Sequence, residues 1–211
     1  MTKIPEPCPL CLSFAKAKEL EVLLSQDITG EATGARSVVS AAVAILKRLK
    51  IGFAAVGGFA LGLRGSPRFT SDLDLVVEPE RWKEVVRAFR SAGFKPNPEG
   101  PGISEFMARF VHPKSHFGVD LLFAVGDPEE SAREMATEER IFGTKIPVAR
   151  TEFLLWMYLL SDDPQHFADA TRLVKGGLVD VKKVARMLRE AGDDAAYKKL
   201  ARVMLAVGRS Q

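Results

Sequence analysis

Long apolar runs are missing from this chain of 211 residues. No stretch approaches the roughly 18 apolar residues that a membrane-spanning helix needs, which excludes a helical membrane span. The opening, MTKIPEPCPLCLSF, lacks a sustained apolar core and a small-residue cleavage site, so no secretion signal is read and a cytoplasmic setting is expected. Internal repeats and low-complexity tracts are also lacking. Cysteine is scarce: Cys8 and Cys11 form one CxxC and are the only two. With His112 and His116, far along the chain, they would make a tetrahedral zinc set. Compact zinc modules keep their ligand pairs close in sequence, however, so the thiols are read as a reduced pair near a loose N-terminus.

What is present is ordinary for a globular protein, 46% hydrophobic and 27% charged. The length suits one domain of about 100–150 residues plus a smaller one. The net charge of +3 is unevenly spread. Residues 172–211 hold ten Lys or Arg against four acids. The plain reading is a solvated helix face; a basic appendage that attracts a nucleotide or an RNA end is the functional one.

The patterning divides the chain into an N-terminal extension (1–35), a mixed α/β unit (36–150) and a helical unit (151–211). Helices are expected over about 14–26 and from Ser37 to about Leu49. A buried strand over Phe53–Val56 turns through Gly57-Gly58 into a small helix around Phe59–Leu63. In residues 72–78, Leu73, Leu75 and Val77 alternate with Asp72 and Asp74, as a strand with two unlike faces requires. Pro79 and Gly93 bracket the next helix. Strands are expected near 104–111 and 117–125, a hairpin around 141–148, and about four helices after Arg150.

Nucleotidyl transfer needs in-line attack of a hydroxyl on phosphorus, and the charge on attacking and leaving oxygens is well met by two divalent metals about 4 Å apart. Magnesium takes hard oxygen ligands. Asp72 and Asp74, at i and i+2 on one strand, point the same way, and Asp120 in FGVDLLF fits a third ligand from a neighbouring strand. These three are the candidate catalytic and metal-binding residues. Gly57 and Gly58, at a strand-to-helix turn, suit close approach of a triphosphate. Arg68, Thr70 and Ser71 add cationic and hydroxyl contacts, although Arg68 can equally pair structurally with Asp72 or Asp74.

The segment VGGFALGLRGSPRFTSDLDLVV, with the later Asp120, resembles the signature of the DNA polymerase β-like nucleotidyltransferase superfamily. It looks closest to the abortive-infection (AbiE-type) toxins and related minimal nucleotidyltransferases. The resemblance spans roughly residues 50–175 and is tightest over 56–77. It implies a nucleotidyltransferase fold, a small mixed sheet flanked by helices with a C-terminal helical domain. It also implies Mg2+ at a two-metal site and a nucleoside triphosphate as donor. Asp72, Asp74 and Asp120 then bind metal, and Asp120 also orients the attacking hydroxyl.

One departure stands out. AbiE-type toxins usually carry a Lys on the first C-terminal helix and a Lys-Asp pair some seven residues on, with another Asp after it. Here Tyr158 occupies the Lys position and Gln165-His166 the pair; Asp169 alone is retained. Phosphate grip is then weakened or passed to Arg172 or Lys175. Two readings follow. The first is a nucleotidyltransferase acting on a hydroxyl of tRNA or protein, the toxin of a toxin–antitoxin pair with a cognate antitoxin as partner; small-molecule acceptors such as aminoglycosides stay open. The second is a catalytically degenerate member that binds a nucleotide or a partner.

Overall fold

The computed structural model describes residues 9–25, 34–98, 102–115 and 117–208. Cys8 and His116 lie outside them, and with them the Cys2His2 set considered above. Helix α1 (Pro9–Ser25) and helix α2 (Ala35–Leu49) lead into strand β1 (Phe53–Ala55), helix α3 (Gly57–Leu63) and strand β2 (Asp72–Val77). Helix α2 buries Val38, Val39, Ala42, Ile45 and Leu46, the stripe expected of helical spacing, and ends on Lys50 in the left-handed region at φ 56°. Helix α1 starts earlier than periodicity suggests. Its Leu20 and Leu24 are fully buried, and Leu20 fills the space that Gly62 leaves open on α3.

After helix α4 (Trp82–Ser91) come strands β3 (Lys95–Pro96), β4 (Met107–Val111) and β5 (Gly118–Phe123), then helix α5 (Glu129–Glu134). Strand β4 begins three residues later than the expected 104, because the Ser104 hydroxyl accepts from the Phe106 and Met107 N–H groups and holds a turn there. A hairpin follows, β6 (Thr137–Ile141) and β7 (Thr144–Val148). It is longer than the expected 141–148. Phe142 and Gly143, at φ 50° and 79°, form the two-residue turn that such hairpins favour. The charged sequence TEERI masks β6 as a strand.

The seven strands form one mixed sheet in the order β3-β4-β5-β2-β1-β7-β6. Strands β1 and β2 are antiparallel, whereas β2 and β5 are parallel. That register sets Asp74 opposite Asp120 and Asp72 opposite Gly118. On the far side of β5, antiparallel β4 brings Arg109 opposite Asp120. The middle strands are apolar on both faces further along, with Leu73, Leu75, Val76, Val77, Val119 and Leu121 inaccessible. Only at their ends does the pattern open to polar residues, and the site lies there.

Four helices complete the chain: α6 (Thr151–Leu160), α7 (Pro164–Lys175), α8 (Val181–Glu190) and α9 (Asp194–Ala206). Their starts are written locally. Asp163, Asp180 and Asp193 each accept a backbone N–H in the first turn, and Pro164 sits at the first position of α7. Asp193 also accepts from the Trp156 indole at 3.1 Å, which ties α9 to α6. Leu154, Leu155, Leu173, Val174 and Val203 belong to the same apolar cluster as the sheet. Among the described residues, no helix is long and apolar enough to cross a membrane.

Candidate active site

Strand alternation fixes the first part of the site. Leu73 and Leu75 are buried beneath the sheet, so Asp72 and Asp74 rise on the opposite face. The parallel register with β5 adds Asp120, and ligand atoms of the three carboxylates lie within 4.8 Å of one another. They edge an open cleft of about 420 Å³ whose other walls include Arg68, Thr70, Ser71, Met107 and His166. A recess of about 130 Å³, lined by Ser71, Asn97 and Arg109, adjoins it on the Asp72 and Asp120 side.

Three carboxylates this close repel one another. Burial, and then the charges of Asp72 and Asp120, push the Asp74 carboxyl well above its usual range. Burial also pushes Asp120 up to about 6, opposed by Arg109 and reinforced by Asp72. Arg109 Nε lies 2.8 Å from Asp120 Oδ2, yet it has no hydrogen-bond partner. The contact is therefore an ion pair without hydrogen-bond alignment, and the half-exposed Arg109 offsets only part of the negative charge. Oxygen-only donors with uncompensated charge suit a hard divalent cation, so the residues present fit magnesium.

The Gly-Gly turn meets these carboxylates directly. Gly57 has φ +60°, and a Cβ there would fall 1.9 Å from Asp74 Oδ2. Only a residue without a side chain lets Asp74 sit against this turn. Gly57→Ala should lower the unfolding free energy by about 1–3 kcal/mol through backbone strain, and should erase any stabilisation by added magnesium. Denaturant titration with and without the metal measures both. At Gly58, a Cβ would lie 2.6 Å from the guanidinium carbon of Arg68, so the planar group packs flat on the turn.

The remaining residues proposed for nucleotide contact have specific places. Thr70 donates its hydroxyl to Asp72 Oδ1 at 2.7 Å and so orients that carboxylate. Ser71 lines both the cleft and its recess. Arg68 pairs with neither Asp72 nor Asp74. Its Nε and Nη2 donate to Asp169 at 2.8–3.0 Å, and Nη1 donates to the Phe69 carbonyl at 2.9 Å. Asp169 is inaccessible to solvent and takes a further bond from Gln165 Nε2 at 3.0 Å.

Tyr158 gains a definite role. Its hydroxyl donates to the Gly57 carbonyl at 2.8 Å, so α6 is pinned to the phosphate-side turn. Burial, and then the nearby Asp169, hold this phenol well above its ordinary range, which keeps it a donor. Arg172 and Lys175, the expected replacements for the missing lysines, are exposed on α7 and line neither the cleft nor its recess. His166 faces the cleft instead. Sequence reading missed Arg109, although Ala108 and Phe110 are buried and alternate with it. The alternation marks its face but not the strand beside it.

A larger cavity of about 580 Å³ lies between α8 and α9, lined by Lys182, Arg186, Arg189 and Tyr197. It shares no residue with the carboxylate cleft. Val184 and Leu188 are buried while Lys182 and Arg186 are exposed, the arrangement of an amphipathic helix.

No protein-family model matches the sequence, and no curated protein matches it. Solved structures do match. The antibiotic-resistance factor ANT(2'')-Ia in solution is similar at a TM-score of 0.53 and 18% identity, covering 75% of this chain and 91% of that one. ANT(2'')-Ia in complex with adenylyl-2''-tobramycin gives 0.54 at 20% identity, over 74% and 95%. An antigenic nucleotidyltransferase-like protein from Paracoccidioides brasiliensis gives 0.53 at 17% identity, over 81% and 87%. At such identities the likeness speaks for architecture alone: this chain has the nucleotidyltransferase fold.

Proposed function

We propose that the protein transfers a nucleoside monophosphate from a nucleoside triphosphate to a hydroxyl acceptor. The observation that carries this reading is the convergence of Asp72, Asp74 and Asp120 beside the left-handed Gly57 turn, in one cleft. The three carboxylates are the ligands for magnesium, which when bound polarises the phosphoryl oxygens and offsets the charge on the attacking and leaving oxygens. In the transfer a new bond forms between the acceptor oxygen and the α-phosphorus, the bond to pyrophosphate breaks, and the acceptor's proton passes to the Asp120 carboxylate. Asp120, edging both the cleft and the recess, is placed to orient that hydroxyl. Gly57 and Gly58 receive the triphosphate, with Thr70 holding Asp72 and Ser71 at the rim. Arg68, its donors engaged by Asp169 and the Phe69 carbonyl, contributes charge and shape more than a free hand.

The acceptor follows from weaker signals. The wording of residues 56–77 supports an AbiE-type activity, with a tRNA or protein hydroxyl as acceptor and an antitoxin as partner. ANT(2'')-Ia, whose complex holds adenylyl-2''-tobramycin, supports an aminoglycoside instead. A second reading, a nucleotide-binding protein without turnover, draws on Tyr158, whose hydroxyl is committed to Gly57 where relatives place a lysine.

One experiment separates these. Labelled triphosphates with magnesium are incubated with total RNA, cell lysate or an aminoglycoside panel. Label should enter one acceptor class with the wild type and fall to background with Asp72→Asn. Equal labelling by both proteins would sink the proposal. Calorimetric binding without transfer to any acceptor would favour the second reading.

A further inference from the structure

Beyond Asp74 the cleft continues into a slot of about 260 Å³ lined by residues of the turn after β1, of α5 and of α6, which shares Asp74, Leu122 and His166 with it. Its walls are mainly apolar, with Val56, Met157 and Leu160 among them. The volume lies just under the roughly 300 Å³ at which small-molecule sites begin, which suits a single nucleoside. Two polar residues stand out in its lining, Glu129 and His166. Glu129, on the first turn of α5, has no ion pair or hydrogen bond to another residue among those described; its carboxylate meets only its own backbone N–H. A buried ring nitrogen of His166, Nδ1, has no partner either. Burial, and then the neighbouring Asp127, raise the Glu129 carboxyl. The protein thus keeps a half-buried acid with no partner side chain among the described residues in a mainly apolar slot, and the unpartnered His166 nitrogen in the same lining calls for an explanation.

Building on the nucleotide-transfer reading, we propose that Glu129 sets nucleoside preference by accepting a pair of adjacent donors from the nucleotide seated in this slot. A carboxylate presents two acceptors side by side, and bidentate pairing to it is both strong and geometrically selective. Two parts of a nucleotide offer that pair. The N1–H and N2–H edge of guanine does; adenine instead sets one amino group beside an acceptor nitrogen that a carboxylate oxygen repels. The vicinal hydroxyls of ribose also do.

The test is calorimetry on the full chain with magnesium, using GTP, ATP and their 2',3'-dideoxy forms, for wild type and Glu129→Gln. Removing a hydrogen bond to a charged group should weaken binding by about tenfold or more. If guanine supplies the donors, Glu129→Gln weakens both guanine nucleotides and leaves both adenine nucleotides unchanged. If ribose supplies them, GTP and ATP weaken alike and the dideoxy forms do not respond. Affinities within twofold of wild type for all four overturn the inference, and Asp72-dependent labelling in the same preparation shows that the transfer reading survives it. Failure of the wild type to bind any of the four also overturns the inference, and the labelling experiment alone then decides the transfer reading. Thermal unfolding serves as the folding control for Glu129→Gln.

Discussion

Asp74→Asn is expected to reduce magnesium-dependent transfer by about a thousandfold or more while making the metal-free protein harder to unfold at neutral pH. The two effects have one cause. Asp74 is forced into a cluster with Asp72 and Asp120, and its carboxyl is raised well above the usual range by burial and by those two charges. A raised acid binds protons more tightly in the folded state than in the unfolded one. The contribution of the Asp74 and Asp120 carboxyls to the stability of the metal-free protein should therefore fall as pH rises from about 4, the unfolded carboxylate range, through about 6 for Asp120, and further as Asp74 ionises. Neutralising Asp74 removes part of that loss. Denaturant titrations in chelator across this range measure the slope, and added magnesium should flatten or reverse it. A stability gain of Asp74→Asn over wild type that does not grow from pH 4 to 7 without metal would contradict the electrostatic account, and an active Asp74→Asn would contradict the functional one.

Arg68→Ala is expected to cost about 3–5 kcal/mol, which for a chain of this size lowers the unfolding midpoint by about 6–20 °C. The loss comes from what remains. Asp169 is inaccessible to solvent, and without Arg68 it keeps only the single bond from Gln165. Removing one member of a buried pair strands the other, whereas replacing both by apolar groups removes the desolvation cost as well. The double variant Arg68→Met with Asp169→Leu should therefore be more stable than Arg68→Ala alone. A thermal melt of the three proteins decides it. Arg68→Ala within 1 kcal/mol of wild type would show that the pair does not hold the helical segment against the turn. Nucleotide affinity provides a second readout, since Arg68 packs flat on Gly58 and its loss lets that turn relax.

Local chemistry made part of this site legible. Alternation in DLDLVV set Asp72 and Asp74 on one face, and the glycines before it marked a turn. That Gly57 adopts φ +60° against Asp74 is a tertiary result, but the pair of glycines pointed to the position. Periodicity located α2, and Pro79 and Gly93 bracketed α4. Other elements carried no such signal. Helix α5 buries only Ala132, too little to show a stripe, and three of the five residues of β6 are charged. Glu129 was invisible as a site residue for the same reason: its element could not be recognised, so its direction could not be inferred.

By itself the sequence determined properties set within a few residues: which strand face carries Asp72 and Asp74, and where the backbone turns at Gly57-Gly58. The tertiary structure decided which groups meet. Asp120 joins Asp74 only because β5 lies parallel to β2 in a register that sets them opposite each other. Arg68 pairs with Asp169 across a separation of 101 residues, not with the nearer Asp72 or Asp74. Tyr158, expected only as a missing lysine, reaches Gly57 across the same separation. Coulomb and hydrogen-bond partners are chosen by distance and burial in space, and chain spacing encodes neither once a sheet has crossed over and helices have packed on its edge.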